Sequence, residues 1–198
     1  MESFSDGVMA IIVTLLIFEV RLPYLPKDPT WPQVAHALHE VTPKFLSFAV
    51  SFFTVAIFWV NHHHFMHRLT KTDWKLLWLN NILLFWLTVV PFTTAMLGDH
   101  PTTPSIVSIY ALNLCFAGLS FNVMSRYAYG SGHLVDVDIP ADDRRRYRRR
   151  TYFGTAMFGA TSIVALIYVP LALVILVVIP FLFVAPRLLG QADEDESS

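Results

Sequence analysis

The segment Asn61-His62-His63-His64-Phe65-Met66-His67 gathers the imidazoles best placed to do chemistry. If it is helical, His63 and His67 stand one turn apart on one face, a spacing compatible with a metal ion. No pair of carboxylates accompanies them in the sequence, where Asp73 is the only acid nearby. Three readings are open: His62 hydrogen-bonds Asp6 or a third helix, the histidines are solvated at an interface, or they form a metal or proton site. Asp6 is the second such group, an acid at the head of an apolar run. The run Arg144-Arg145-Arg146-Tyr147-Arg148-Arg149-Arg150 resembles a nucleic-acid patch in isolation. Standing just before an apolar stretch, it reads instead as a topology determinant that meets anionic lipid heads. Cys115 is the single cysteine, which excludes an internal disulfide and a Cys-rich metal site.

The elements that must position these groups belong to a membrane. Of 198 residues, 55% are hydrophobic and only 15% charged, against roughly 25% charged in an average soluble domain. The 14 Lys and Arg nearly balance the 15 Asp and Glu, so nothing in the net charge marks a nucleic-acid binder. A spanning helix needs about 20 mostly apolar residues. Leu76 to Gly98 and Pro101 to Ser125 lack Asp, Glu, Lys, Arg and His and each can cross once. Phe45 to Asn61 crosses with a few flanking residues added, and Phe4 to Leu22 crosses if its acids sit near interfaces or face protein. Thr151 to Pro186 is too long for one span, and Tyr168-Val169-Pro170 divides it into two helices at a tight turn. The expectation is therefore six transmembrane helices per subunit in an all-α integral membrane protein, with a connector over Tyr24 to Pro43 that holds a short helix around Gln33 to Glu40. Pro91 is expected to bend or end its helix.

The loop charges give a second, independent count. With six spans and a cytoplasmic N-terminus, eleven Lys and Arg fall inside, against Arg21, Lys27 and Lys44 outside. The positive-inside rule then puts both termini in the cytoplasm. Residues 1–190 form the expected membrane domain, and 191–198 an acidic tail too polar to pack, expected to be disordered. The N-terminus starts Met-Glu-Ser-Phe-Ser-Asp and lacks the basic head of a secretory signal.

On the first helix, about 100° per residue puts Phe4, Ile11, Leu15 and Phe18 on one stripe with Val8 beside it, and Asp6 roughly opposite. An intramembrane acid faces protein and finds a donor, so Asp6 points inward and the stripe elsewhere. Periodicity alone leaves open whether the stripe packs on neighbouring helices or lines a passage.

Phe4-Ser5-Asp6 opening an apolar first helix, the Trp59-x-x-His62 stretch, and the Asn-rich third helix ending Pro-Phe-Thr-Thr together resemble the bacterial members of the transmembrane protein 175 family of potassium channels. In that family the first motif is Arg-x-x-x-Phe-Ser-Asp, whose arginine would here precede Met1. The resemblance implies a homotetramer whose four first helices line a central cation pore narrowed by rings of apolar side chains. The ring five residues after the motif's Asp falls on Ile11, and the next layers on Leu15 and Phe18, where relatives usually carry Leu at the third. Thr14 matches a threonine implicated in selectivity. His62, with Asn80 or Asn81 as a second partner, would join Phe4, Ser5 and Asp6 in a structural polar network. Either asparagine can also simply bond a backbone carbonyl.

An apolar constriction cannot replace an ion's water, so passage needs partial dehydration or a transiently wet pore. Potassium holds its water less tightly than sodium, which gives a modest potassium preference with Thr14 as a polar contribution. Glu19, near the outer end, either concentrates cations at the mouth or serves as an interfacial anchor. The expected function is thus a potassium-conducting channel in a bacterial plasma membrane: not an enzyme, and with no cofactor, no bound metal and no nucleic-acid partner. The rival is a proton-coupled or metal-ion transporter using Asp6 and the His62 to His67 cluster, and a structural membrane scaffold is third.

Overall fold

The computed structural model describes residues 1–131, 133–135 and 141–195, without the side chains of 141–143 and 183–195. The described chain is helical, with a single isolated bridge between Leu69 and Val135. Helix α1 covers Glu2–Leu16 and ends in a 3-10 turn at Ile17–Glu19. Then come α2 (Trp31–Met66), α3 (Trp74–Thr88), α4 (Val90–Asp99), α5 (Pro104–Gly130), α6 (Ala141–Ile167) and α7 (Val169–Asp195).

Local chemistry fixes most of these boundaries. Thr30 caps α2, its backbone N–H donating to Gln33 Oε1 at 2.9 Å, and Pro32 sits in the first turn, where no donor is missed. Asp73 caps α3 by accepting from the Leu76 N–H at 2.7 Å. The α3 to α4 break falls at Val89, two residues before Pro91, as a proline that cannot donate to the preceding turn requires. The α6 to α7 break at Tyr168 is equally short, with Pro170 in the first turn of α7.

Two expectations need correction. The connector ending at Pro43 does not exist as such, because α2 is one helix of 36 residues with Pro43 in its interior. A mid-helix proline costs about 3 kcal/mol, and here buried Ala37, Val41 and Ser47 on either side of it hold the helix against the protein. The fold class is also corrected. Three stretches among the described residues are long and apolar enough to cross a membrane: Trp31–Met66, Trp74–Asp99 and Pro104–Gly130. Helix α1, with 15 residues, is shorter than these stretches and continues only into the 3-10 turn at Ile17–Glu19. Helix α6 spends its first turns on arginines, and among the described side chains α7 offers the shorter apolar stretch Val169–Leu182. Nor is α1 the centre of packing: the most extensive helix contact in the subunit is α5 on α6, with α3 on α5 next.

Helix α5 carries the core, burying Tyr110, Leu114, Ala117 and Met124 completely. Small residues let α6 approach it. A Cβ on Gly118 would stand 2.4 Å from Thr155 Oγ1, and one on Gly159 would stand 3.3 Å from Cys115 Sγ. Cys115 is thus a packing residue. Of the acidic tail, residues 196–198 and the side chains of 191–195 lie outside the described residues.

Candidate permeation site and its polar anchor

Helix α1 divides into two faces. Ser5, Met9, Ile12 and Leu16 follow the 3.6-residue period and are buried against the rest of the subunit. On the other side Phe4, Ile11, Leu15 and Phe18 are 62, 59, 46 and 66% exposed, an apolar stripe left open by the described residues. Thr14 stands on the same exposed side, its hydroxyl donating to the Ile11 carbonyl one turn back at 2.9 Å. With its proton committed to the helix, the hydroxyl oxygen presents lone pairs outward.

The buried face is tied down by polar bonds. Asn80 of α3 donates through Nδ2 to Ser5 Oγ at 2.9 Å, and its Oδ1 stands 2.8 Å from His62 Nε2 on α2. An amide oxygen only accepts, so Nε2 of His62 carries the proton. Ser5 in turn donates to the Met1 carbonyl at 3.2 Å. All three side chains are essentially excluded from solvent. Asp6, one position on, accepts from Trp59 Nε1 at 2.9 Å. The sequence left His62 a choice between Asp6 and the third helix, and the geometry gives it the third helix. It also separates Asn80, buried at the junction, from exposed Asn81. Phe4 does not join these bonds and lies on the open stripe.

One turn below, Glu2 Oε1 approaches His63 Nδ1 at 3.2 Å and His67 Nε2 at 3.4 Å. Sequence reasoning missed this carboxylate, because Glu2 and His63 are brought together only by the antiparallel packing of α1 on α2. Trp59 stacks on His63 with centroids 5.6 Å apart. At the opposite end of α1, Glu19 and Arg21 line a polar cavity of about 320 Å³ with Lys44, Thr94 and Asp99, and Lys44 pairs with Asp99 at 2.7 Å. Beneath it lies a buried trio that the sequence did not single out. Ser51 Oγ is 2.7 Å from Thr94 Oγ1 and 2.9 Å from the Tyr110 hydroxyl. Thr94, the last residue of the Pro-Phe-Thr-Thr segment, was its only sequence signal.

Near the end where α1 begins, Tyr127 donates to Asp73 Oδ2 at 2.5 Å. That hydrogen bond, reinforced by the Leu76 N–H, holds the Asp73 carboxyl below the usual carboxylate range. The arginine run starts α6 there, and Tyr147 within it reaches the Asn61 carbonyl at 3.3 Å while its ring lies under Arg68.

Comparison with known proteins places this arrangement. A family profile described as the endosomal/lysosomal potassium channel TMEM175 matches residues 1–91, which hold Phe4-Ser5-Asp6, Trp59, His62 and Asn80. A potassium channel of Streptomyces collinus is 32% identical over 87% of this chain and 84% of its own. One from a Chryseobacterium species is 33% identical over 63% of this chain and 61% of its own. Among solved structures, a lysosomal potassium-selective channel TMEM175 homologue from Chamaesiphon minutus superposes with a TM-score of 0.78 at 30% identity, covering 94% of this chain and 95% of that one. The chain belongs to the TMEM175 family, and as a member it is an integral membrane cation channel rather than an enzyme.

Proposed function

We propose that the channel conducts potassium with a modest preference over sodium, and that ions are held up at an apolar constriction contributed by Ile11, Leu15 and Phe18. The observation that carries this reading is the two-faced character of α1: its stripe leaves three large apolar side chains exposed among the described residues, while the opposite face is buried and hydrogen-bonded. Other exposed apolar side chains are available to lipid or to neighbouring copies. This stripe differs in having a hydroxyl, Thr14, on its flank and an acid, Glu19, just past its end. In this reading Thr14 offers oxygen lone pairs to a partly dehydrated ion, and Glu19 raises the cation concentration at the outer mouth. Ser5, Asp6, His62 and Asn80 serve as the structural anchor that holds α1 in place, and Phe4 belongs with the stripe. The names of the relatives, potassium channels and a potassium-selective channel, support potassium as the permeant ion. We propose further that the protein works as a homo-oligomer of four copies in a bacterial plasma membrane, with both termini cytoplasmic, residues 1–190 forming the channel domain and 191–198 a tail outside it.

The test is planar-bilayer recording of the wild type and Ile11→Asn. The wild type is expected to give steady current whose reversal potential follows the potassium gradient, and Ile11→Asn, which wets the constriction, to raise conductance or relax ion preference. Unchanged conductance and preference in Ile11→Asn would remove Ile11 from the gate. Saturating, proton-coupled flux in the wild type would replace the channel by a transporter.

A further inference from the structure

Glu2, His63 and His67 bring three potential ligand atoms, one from each residue, within 4.8 Å of one another. Glu2 Oε1 stands 3.4 Å from His67 Nε2, and His63 flanks both, its Nδ1 3.2 Å from the carboxylate and its Nε2 3.1 Å from His67 Nε2, so that one of its two nitrogens can serve a shared ion. Zinc binds nitrogen and carboxylate oxygen at about 2.0–2.2 Å, so neighbouring ligands of a tetrahedral ion stand about 3.4 Å apart. The Glu2 to His67 separation already matches that edge, and the binding nitrogen of His63 lies within 4.8 Å of both other ligand atoms. His63 lies in the last turn of α2, His67 caps its end one turn on, and the carboxylate comes from α1. The side chains are 38, 37 and 62% exposed for Glu2, His63 and His67, so an ion can enter and complete its shell with water. Trp59 stacks on the His63 ring, and its Nε1 is fixed by Asp6, which sets the ring plane before any ion arrives.

We infer that Glu2, His63 and His67 form a binding site for a divalent transition metal of the zinc class, and that the ion clamps the first turn of α1 to the last turns of α2. The ion takes the lone pair of one nitrogen on each imidazole; each ring keeps one proton on its other nitrogen, and any further proton is released to solvent. The site lies on the anchored end of α1, away from Ile11, Leu15 and Phe18. It therefore stands whether or not that stripe gates conduction.

Calorimetric titration of the untagged, detergent-solubilised full chain with zinc chloride tests the site. It should show one ion per subunit with a Kd on the order of 10 µM, and the apparent Tm should rise on the order of 5 °C at a hundredfold excess over that Kd. Cobalt should give the intense visible absorption of a four-coordinate ion. His67→Ala and His63→Ala should each weaken binding at least about tenfold, whereas His64→Ala should leave it unchanged. Glu2→Gln is nearly isosteric and removes only the negative charge of the ligand, so it reads the ligand role even if a histidine variant is poorly folded, and it too should weaken binding. Absence of saturable binding below about 1 mM, or binding that survives Glu2→Gln and His67→Ala undiminished, overturns the assignment.

Discussion

Asn80→Ala isolates the anchor of α1 most directly. The asparagine is buried at the meeting point of three helices and uses both ends of its amide, Oδ1 on His62 at 2.8 Å and Nδ2 on Ser5 at 2.9 Å. Truncation leaves the Nε2–H of His62 without an acceptor in a site from which water is excluded, a penalty of about 1–3 kcal/mol. Ser5 keeps its own donation to the Met1 carbonyl and loses only an accepted bond, worth about 1 kcal/mol. The expected loss is thus about 2–4 kcal/mol, measured by reversible unfolding of the purified protein in mixed detergent and dodecyl sulfate micelles. Asn81→Ala, one position along and exposed, should change stability by less than about 0.5 kcal/mol. In a double-mutant cycle, Ser5→Ala and Asn80→Ala should couple by about 1 kcal/mol, because they share one bond. Equal effects at 80 and 81, or additive effects of Ser5→Ala and Asn80→Ala, would refute the idea that this bond fastens α1 to α3.

Asp73 gives a pH signature. Its folded carboxyl titrates below the ordinary value of about 3.9, chiefly through the Tyr127 hydroxyl, with the Leu76 N–H second and His133 and Lys75 adding weaker attraction. Its contribution is therefore complete above the ordinary carboxylate range and is lost as pH falls through the lower folded value. Wild type and Tyr127→Phe should differ most in Tm near neutrality and converge on acidification below about pH 4; a gap that widens in acid would contradict the assignment. At the α5 to α6 contact, Gly118→Ala sets a methyl 2.4 Å from Thr155 Oγ1, a hydroxyl already bonded to the Thr151 carbonyl at 3.0 Å and to Asn122 at 2.9 Å. Unfolding measurements should show a loss of about 1–3 kcal/mol, and Gly130→Ala, with nothing within 4 Å of its added carbon, should show far less.

Much of this was legible in the sequence where local chemistry decides. The tight break between α6 and α7 at Tyr168 and the bend before Pro91 follow from proline's missing donor and were read correctly. The same rule failed at Pro43, because a helix packed over many turns absorbs one lost hydrogen bond that a short isolated helix would not. The six-span count failed differently. Uncharged runs measure apolarity but not where a helix ends, and α1 stops at Leu16 in a 3-10 turn, although its apolar residues continue. Of the candidate site, the placement of Phe4, Ile11, Leu15 and Phe18 on one side follows from period alone. That this side is the open one required the fold, since all sides of the helix are apolar. Glu2 beside His63 and His67 could not be read at all, because nothing in a chain separation of about sixty residues marks a pairing made by two helices running in opposite directions.

The polar groups on α1 are unevenly spread along it, and this has a physical consequence. Glu2, Ser5 and Asp6 fall within the first turns and reach His63, His67, Asn80 and Trp59 on two other helices. Further along, the hydroxyl of Thr14 turns back on its own backbone, and Met9, Ile12 and Leu16 are held by apolar contact. Hydrogen bonds between fixed partners tolerate little displacement, since their strength falls steeply with angle and distance, whereas apolar contact is not directional. Sliding or tilting of the helix is therefore resisted most at Ser5 and least near Leu15 and Phe18. A sequence that concentrates its directional bonds in the first turns, and its bulky apolar side chains beyond them, fixes the register of the helix at one end while leaving the other end adjustable.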